Sequence, residues 1–141
     1  MERLNDEIGW NQLRYDIRTY TAQNERNRRG GEAGKVPDGY KYIGDRCFLN
    51  NGKVHEVVLP EECRIIGKQA FEKCKKLSSV TFKGKKAPTI GKAAFKGIKK
   101  KTSVQVTGSM KKSQVKRLQK RMKTAAPSVK ITYKKKITVR F

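Results

Sequence analysis

Residues 66–82 read IGKQAFEKCKKLSSVTF, and a segment with the same pattern lies on each side of them. The preceding segment, IGDRCFLNNGKVHEVVL, begins at Ile43, and the following segment, IGKAAFKGIKKKTSVQV, begins at Ile90. The isoleucine-glycine pairs recur at steps of 23 and 24 residues, and the phenylalanines of the three segments keep the same steps. Self-similarity at a period between about 20 and 29 residues indicates a stacked solenoid, in which each unit buries its apolar face against its neighbours.

The end of each repeat predicts a short β-strand. Residues 77–82 read LSSVTF, which places Val80 and Phe82 on one side of a strand at a period of two. We expect the equivalent valines Val57, Val80 and Val104 to lie side by side in a parallel sheet. The head of each repeat, Ile-Gly-x-x-small-Phe, predicts a tight turn that directs the phenylalanine into the core. One strand and one turn per unit describe a leucine-rich-repeat coil.

The stretch IGKQAFEKCKKLSSVTF resembles the BspA-like (Treponema-type) leucine-rich repeats. Their motif contains an isoleucine-glycine pair, an alanine-phenylalanine pair, a cysteine two or three residues later, and leucine and valine in the strand. The resemblance extends from Gly39 to about Ile131. It implies adhesion or other protein binding, commonly at a bacterial surface, and it implies no catalysis and no cofactor.

We expect one domain made of four segments. Residues 1–29 are predicted to form an amphipathic helix, 30–37 a glycine-rich linker, 38–107 three leucine-rich repeats, and 108–141 a basic helix with one or two terminal strands. The predicted fold is therefore an α/β repeat: a short leucine-rich-repeat solenoid with a small parallel sheet, an N-terminal helical cap and a basic C-terminal helix/strand cap. Three repeats are near the minimum for a stable solenoid, which is why both ends should be capped.

The first segment has apolar residues mostly at spacings of three and four between Leu4 and Tyr20, which predicts a helix of about five turns. Two interpretations remain open. The helix either caps the first repeat, or it binds a partner or mediates oligomerisation, because its aromatic residues offer more surface than a cap needs. The candidate protein-binding residues of this segment are Trp10, Tyr15 and Tyr20.

The last segment predicts a second helix, KKSQVKRLQKRMKTAAP, with an apolar stripe that includes Leu118 and Met122 and a basic opposite side. Pro127 ends this helix. Residues 128–133 and 137–141 alternate as strands do, and the lysines between them leave a hairpin and a single long strand equally open.

The excess positive charge lies in the second half of the chain. Residues 1–72 carry 12 acidic and 12 basic side chains, whereas residues 73–141 carry 23 basic side chains and no acidic one, so the net charge of +23 arises there. Such a field attracts polyanions, and its preponderance of lysine over arginine argues against base specificity. The candidate polyanion-binding residues are Lys99, Lys100, Lys101, Lys112, Lys116, Arg117, Lys120, Arg121 and Lys123.

Four interpretations of this charge remain open. It binds nucleic acid, contacts a membrane or wall polymer, engages a nucleic-acid-handling machine as a small inhibitor, or merely forms a solvated surface.

The outward side of the repeat strands is a candidate protein-binding surface, because its side chains are mostly small and neutral. Three strands make a surface only about 10 Å across. The candidate residues are Glu56, Val58, Ser79, Thr81, Ser103 and Gln105.

We predict no catalytic and no metal site. His55 is the single histidine, and the spacing of the repeats places no carboxylate beside it except Glu56. Cys47, Cys63 and Cys74 include no C-x-x-C pair, and they are expected to be buried in the core as small apolar side chains. We therefore predict a non-enzymatic binding module whose partner is another protein, with nucleic acid or another polyanion as the alternative.

The sequence also bears on location. The first 30 residues contain no apolar run of seven, and no stretch approaches the length of a membrane span. We expect a cytoplasmic protein, or a cell-surface one if the sequence is a fragment of a larger protein.

Overall fold

The computed structural model describes residues 18–27, 33–107 and 109–136. Ten helices and strands follow one another there: β1 (Thr19–Tyr20), α1 (Ala22–Asn27), β2 (Tyr42–Ile43), β3 (Glu56–Leu59), β4 (Ile65–Ile66), β5 (Ser79–Phe82), β6 (Thr89–Ile90), β7 (Lys101–Thr107), α2 (Lys112–Ala125) and β8 (Lys130–Lys136). Their order around the chain makes a solenoid of about three turns in which each coil contributes one short and one longer strand.

Two parallel sheets run along the solenoid, in the orders β1-β2-β4-β6 and β3-β5-β7-β8. In the second sheet Val57 pairs with Val80, and Val80 pairs with Val104. All three valines are fully buried. The predicted parallel sheet and its register are therefore confirmed.

The first sheet was not predicted. Its strands contain only two residues each, and Ile43, Ile66 and Ile90 lie in register within it. Consecutive coils approach so closely here that a Cβ atom on Gly67 would lie 2.6 Å from the backbone nitrogen of Asp45. The packing of one coil on the next thus requires glycine at Gly67, and likewise at Gly91, where a Cβ atom would lie 2.7 Å from the backbone nitrogen of Lys68.

The turn that follows each glycine places a phenylalanine ring in the centre of the solenoid. The rings of Phe48 and Phe71 stack 4.9 Å apart with an interplanar angle of 13°, and those of Phe71 and Phe95 stack 5.0 Å apart at 9°. The turns are also hydrogen-bonded, since the Phe48 amide donates to the Ala70 carbonyl and the Phe71 amide to the Ala94 carbonyl. Side chains and backbone therefore repeat together along the stack, as the predicted turn required.

The amino-terminal end of the stack differs from the predicted helix. Residues 1–17 and 28–29 lie outside the described part of the chain, but Thr19–Tyr20 forms β1 and pairs with β2. The Tyr20 ring is 3% exposed and stacks on Phe48 with their centroids 6.1 Å apart. Its hydroxyl donates to Glu25 Oε1 at 2.8 Å. Tyr20 therefore lies in a strand and not in the predicted helix, and its ring covers the end of the phenylalanine stack.

The structure describes part of the predicted linker. Residues 30–32 lie outside the described part of the chain. Val58 donates its amide hydrogen to the Gly34 carbonyl at 3.0 Å, and Val36 donates to the Val58 carbonyl at 3.1 Å. The Val36 side chain is buried in the core. Residues 34–36 therefore pair with the edge strand β3 and belong to the solenoid.

Helix α2 covers the carboxyl-terminal end of the stack. Its apolar side, which includes Leu118 and Met122, is fully buried, and the Phe95 amide donates to the Ala125 carbonyl at 3.0 Å. The helix thus supplies the acceptor that a further coil would have supplied. Strand β8 then pairs with β7 in parallel through the lysine run. Of the two alternatives, a single strand agrees with the structure as far as Lys136, and residues 137–141 lie outside the described part.

Candidate binding surfaces

The outward side of the β3-β5-β7-β8 sheet is wider than predicted, because β8 adds a fourth strand. Ser103 pairs with Thr132 and Gln105 with Lys134, so each predicted outward column continues onto β8. Four strands spaced about 4.8 Å apart span about 14 Å. The complete columns are Glu56, Ser79, Ser103 and Thr132, and Val58, Thr81, Gln105 and Lys134. We call these eight residues the strand face.

Hydrogen bonds hold the centre of the strand face. The Gln105 side-chain oxygen accepts from the Ser79 hydroxyl at 3.1 Å and from the Thr81 hydroxyl at 2.9 Å. The Gln105 amide nitrogen donates to the Ser103 hydroxyl at 3.3 Å. These four side chains come from two adjacent strands, β5 and β7, so their positions are fixed relative to one another. The centre of the strand face is polar and preorganised, and such a surface loses little side-chain freedom on binding.

His55 and Thr102 each precede a residue of the strand face, and they differ in exposure. His55 is exposed. Thr102 is buried, and its hydroxyl donates to the Lys99 carbonyl at 2.9 Å, so it holds the start of β7.

The aromatic residues predicted to bind a partner do not form a described surface. Trp10 and Tyr15 lie outside the described residues. Tyr20 is buried against Phe48, as the end of the core. Its position agrees with the cap interpretation of the first segment.

A basic groove runs between α2 and the turn after β6. It has a volume of about 760 Å³. One wall is formed by residues 90–93, and the other by residues spaced four apart along two adjacent rows of α2. The lining contains five cationic side chains and no carboxylate: Lys92, Lys116, Arg117, Lys120 and Arg121. We call the first four of these, with Ser113 and Thr124, the α2 groove.

Arg121 differs from the other four cations, because its guanidinium holds α2 on the solenoid. One of its terminal nitrogens donates to the carbonyls of both Ala87 and Pro88, each at 2.9 Å. The Gln114 side chain accepts from the Ala87 amide at 3.1 Å. Arg121 is therefore bound to the backbone before β6, whereas Lys92, Lys116, Arg117 and Lys120 are exposed.

The remaining residues predicted to bind polyanions do not line the α2 groove. Lys99, Lys100 and Lys101 are exposed at the start of β7, and Lys123 is exposed on α2. Lys112 lines a second concavity, of about 420 Å³, together with Lys116 and the half-buried Tyr133. Burial raises the pKa of Tyr133 to about 12.

Lys92 was not among the predicted site residues. It lies in a solenoid turn, and the helix that faces it follows in the chain more than 20 residues later. The repeat pattern locates the turn, but only the packing of α2 places Lys92 opposite Lys116 and Lys120.

The three cysteines are buried free thiols, as predicted. Burial raises the pKa of Cys63 to about 12 and the pKa of Cys74 to about 11. Burial also raises the pKa of Cys47, and the nearby Glu25 carboxylate adds to this. The Cys74 thiol donates to the Phe48 carbonyl at 2.9 Å. These thiols therefore stay protonated and pack as small apolar groups.

The part of the chain that the structure describes holds neither a membrane-spanning helix nor a cluster of metal ligands. None of its helices has the length and apolar character needed to cross a membrane. It also contains no group of three or more histidine, cysteine, aspartate or glutamate residues arranged to hold a metal ion.

Comparison with known proteins identifies a family. The sequence profile described as BspA type leucine rich repeat region (6 copies) matches residues 32–134, which is more than two thirds of the chain. No curated protein and no solved structure gives a significant match.

Proposed function

The chain belongs to the BspA-type leucine-rich-repeat family, and from this premise we propose that it is a non-enzymatic module that binds another protein through its strand face. Members of this family are repeat-based interaction modules and are generally scaffolds without catalytic activity. The family resemblance supports protein binding in general, and the strand face is the surface that we propose for it.

The observation that carries this proposal is the hydrogen-bonded centre of the strand face. Ser79 on β5 and Ser103 and Gln105 on β7 present hydroxyl and amide groups at fixed positions, and the buried Thr81 holds Gln105 in place from β5. Neutral polar groups held this way suit the backbone and polar side chains of a protein partner better than they suit phosphate. The fourth strand widens this surface to a size that several partner side chains can contact.

Site-directed photo-crosslinking tests the proposal. A photo-reactive amino acid replaces Ser103 in one variant and Lys53, which is exposed outside the strands, in a matched control. We expect the Ser103 variant to crosslink one protein partner in nuclease-treated extract of the native cell, and the Lys53 variant not to. The partner is then purified, and Gln105→Arg should weaken its binding at least about tenfold, because a long charged side chain covers the centre of the face. Equal crosslinking at both positions refutes the strand face as the binding surface.

A second candidate function is the binding of a polyanion by the basic half of the chain. It is favoured by the complete absence of acidic residues from 73–141, since the 23 basic side chains there have no neutralising partner within their own half. Affinity for a random-sequence duplex should then fall steeply between about 50 and 200 mM salt. Binding that is insensitive to salt would reject this candidate.

A further inference from the structure

We propose that the α2 groove is a binding site for the phosphodiester backbone of nucleic acid. The inference rests on the second candidate function, and it assigns that function to one place on the molecule. It makes Lys92, Lys116, Arg117 and Lys120 the contacting residues. The other lysines of the basic half contribute only to long-range attraction.

Side chains that can donate hydrogen bonds line the groove in two rows along α2. Lys116, Lys120 and Thr124 follow one another at intervals of four along α2, and Ser113, Arg117 and Arg121 form the adjacent row. Both rows face the turn that carries Lys92. Ammonium, guanidinium and hydroxyl groups are the side-chain donors that proteins use most on phosphate oxygens.

Arg117 and Arg121 have different roles in the groove. Arg121 donates to two backbone carbonyls and holds the groove wall in place. Arg117 is exposed one helical turn away and lines the same groove. The groove therefore keeps its shape when the four exposed cations are changed, which makes the site testable without unfolding the protein.

The residues that line the groove indicate the class of ligand. Protein interfaces are anchored by aromatic and apolar side chains and are depleted of lysine at their centres, whereas this groove is lined by lysine and contains no aromatic residue. A membrane surface is flat, and it favours a helix with an exposed apolar side. The apolar side of α2, which includes Leu118 and Met122, is buried in the core. A highly charged polymer whose phosphate backbone can lie along the groove is the remaining fit.

The dimensions agree with a nucleic-acid strand. The wall from Ser113 to Thr124 spans 11 residues of helix, or about 17 Å at 1.5 Å per residue. A DNA strand carries one phosphate per about 3.4 Å of helix axis, so about five phosphates lie along this length. The four exposed cations thus match the charge that one strand presents. No aromatic side chain lines the groove for base stacking, and three of the four exposed cations are lysines, so we expect binding to be independent of base sequence.

The test compares two variants of equal charge. The groove variant carries Lys92→Gln, Lys116→Gln, Arg117→Gln and Lys120→Gln. The control variant carries Lys75→Gln, Lys76→Gln, Lys83→Gln and Lys85→Gln, four exposed lysines of the same half that do not line the groove. Each variant has a net charge of +23 less four, or +19. Binding to a fluorescent random-sequence duplex of about 20 base pairs is measured by anisotropy from about 50 to 200 mM salt.

We expect the groove variant to lose about 3.6 from the slope of log affinity against log salt, since each phosphate contact contributes about 0.9. Four contacts correspond to about a 100-fold change in affinity between about 50 and 200 mM salt. The control variant should lose less than about threefold in affinity at about 100 mM salt, where charges more than about 10 Å from the strand are largely screened. Both variants should unfold at the wild-type temperature. If the groove variant does not, Lys120→Gln alone should still lower the slope by about 0.9.

Each other outcome overturns a defined statement. Equal losses in the two variants show that the charge acts diffusely and reject the groove, while polyanion binding itself stands. Failure of the wild-type protein to bind the duplex at about 50 mM salt rejects the second candidate function as well. Tighter, groove-dependent binding of a polyglutamate peptide or of phosphatidylserine vesicles assigns the groove to an acidic protein or a membrane and rejects nucleic acid.

Discussion

Replacing Phe71 with alanine removes the middle ring of the three that stack through the solenoid. Phe71 is 0% exposed, and its ring lies 4.9 Å from that of Phe48 and 5.0 Å from that of Phe95. Truncation of a buried phenylalanine costs about 3–5 kcal/mol, including the cavity that remains. The loss of two stacked neighbours places this position at the upper end, at about 4–5 kcal/mol. Because small domains are stable by only about 5–15 kcal/mol, the variant should be close to unfolded.

Urea unfolding followed by circular dichroism measures this loss. With an m-value of about 1.5 kcal/mol per molar urea, the midpoint should fall by about 3 M. Phe71→Leu keeps most of the apolar volume but also loses both stacked contacts, so it should cost less than Phe71→Ala, at about 1–3 kcal/mol. Leu49→Ala is the matched surface control, since Leu49 is 36% exposed in the first repeat, and it should cost less than about 0.5 kcal/mol. A loss below about 2 kcal/mol for Phe71→Ala would mean that the ring does not lie in the middle of a continuous stack.

Three further substitutions or conditions test other parts of the structure. Gly67→Ala should destabilise the protein by at least about 2 kcal/mol in urea unfolding, because its Cβ meets backbone at 2.6 Å, whereas Gly52→Ala, with no atom within 4 Å, should change stability by less than about 0.5 kcal/mol. Arg121→Ala removes two hydrogen bonds to backbone carbonyls and should cost about 1–3 kcal/mol, against less than about 0.5 kcal/mol for the exposed Lys123→Ala; equal effects would reject the role of Arg121 in holding α2. The folded-state pKa of Cys63 is raised from 9.0 to about 12, so its contribution to stability is complete below pH 9 and declines between pH 9 and about 12. Native protein at pH 8 should therefore leave Cys63 unmodified by iodoacetamide until urea unfolds it, and rapid native labelling would show that this thiol is exposed.

Much of the solenoid could be predicted because equivalent positions of successive repeats have the same environment. Each repeat must place the same side chain at the same depth, so Phe48, Phe71 and Phe95 form a column in the sequence before they form one in space. The parallel register of the valines follows from the same requirement. The basic half is likewise visible in the sequence, since charge is a property of composition.

The short sheet escaped prediction because strands of two residues, such as Ile65–Ile66, carry no periodic signal. Tyr20 fits the apolar spacing of three and four that predicted the first helix. Only its pairing with β2 and its contact with Phe48 place it in a strand at the end of the core. Residues 128–133 were predicted as a strand, but only the pairing of β8 with β7 shows that this strand continues through the lysines to Lys136 and joins the repeat sheet. In each case a contact between distant segments outweighed the local pattern.

The sequence by itself determined the repeat, the buried aromatic column and the confinement of the net charge to residues 73–141. The tertiary structure alone decided which cations share a groove, since Lys92 and Lys120 line the same groove only because α2 packs beside β6. It also decided that Arg121 holds backbone while Arg117 remains exposed. The physical reason is that the apolar or charged character of each residue can be read from the sequence. A binding site depends on distances between segments, and only folding sets those distances.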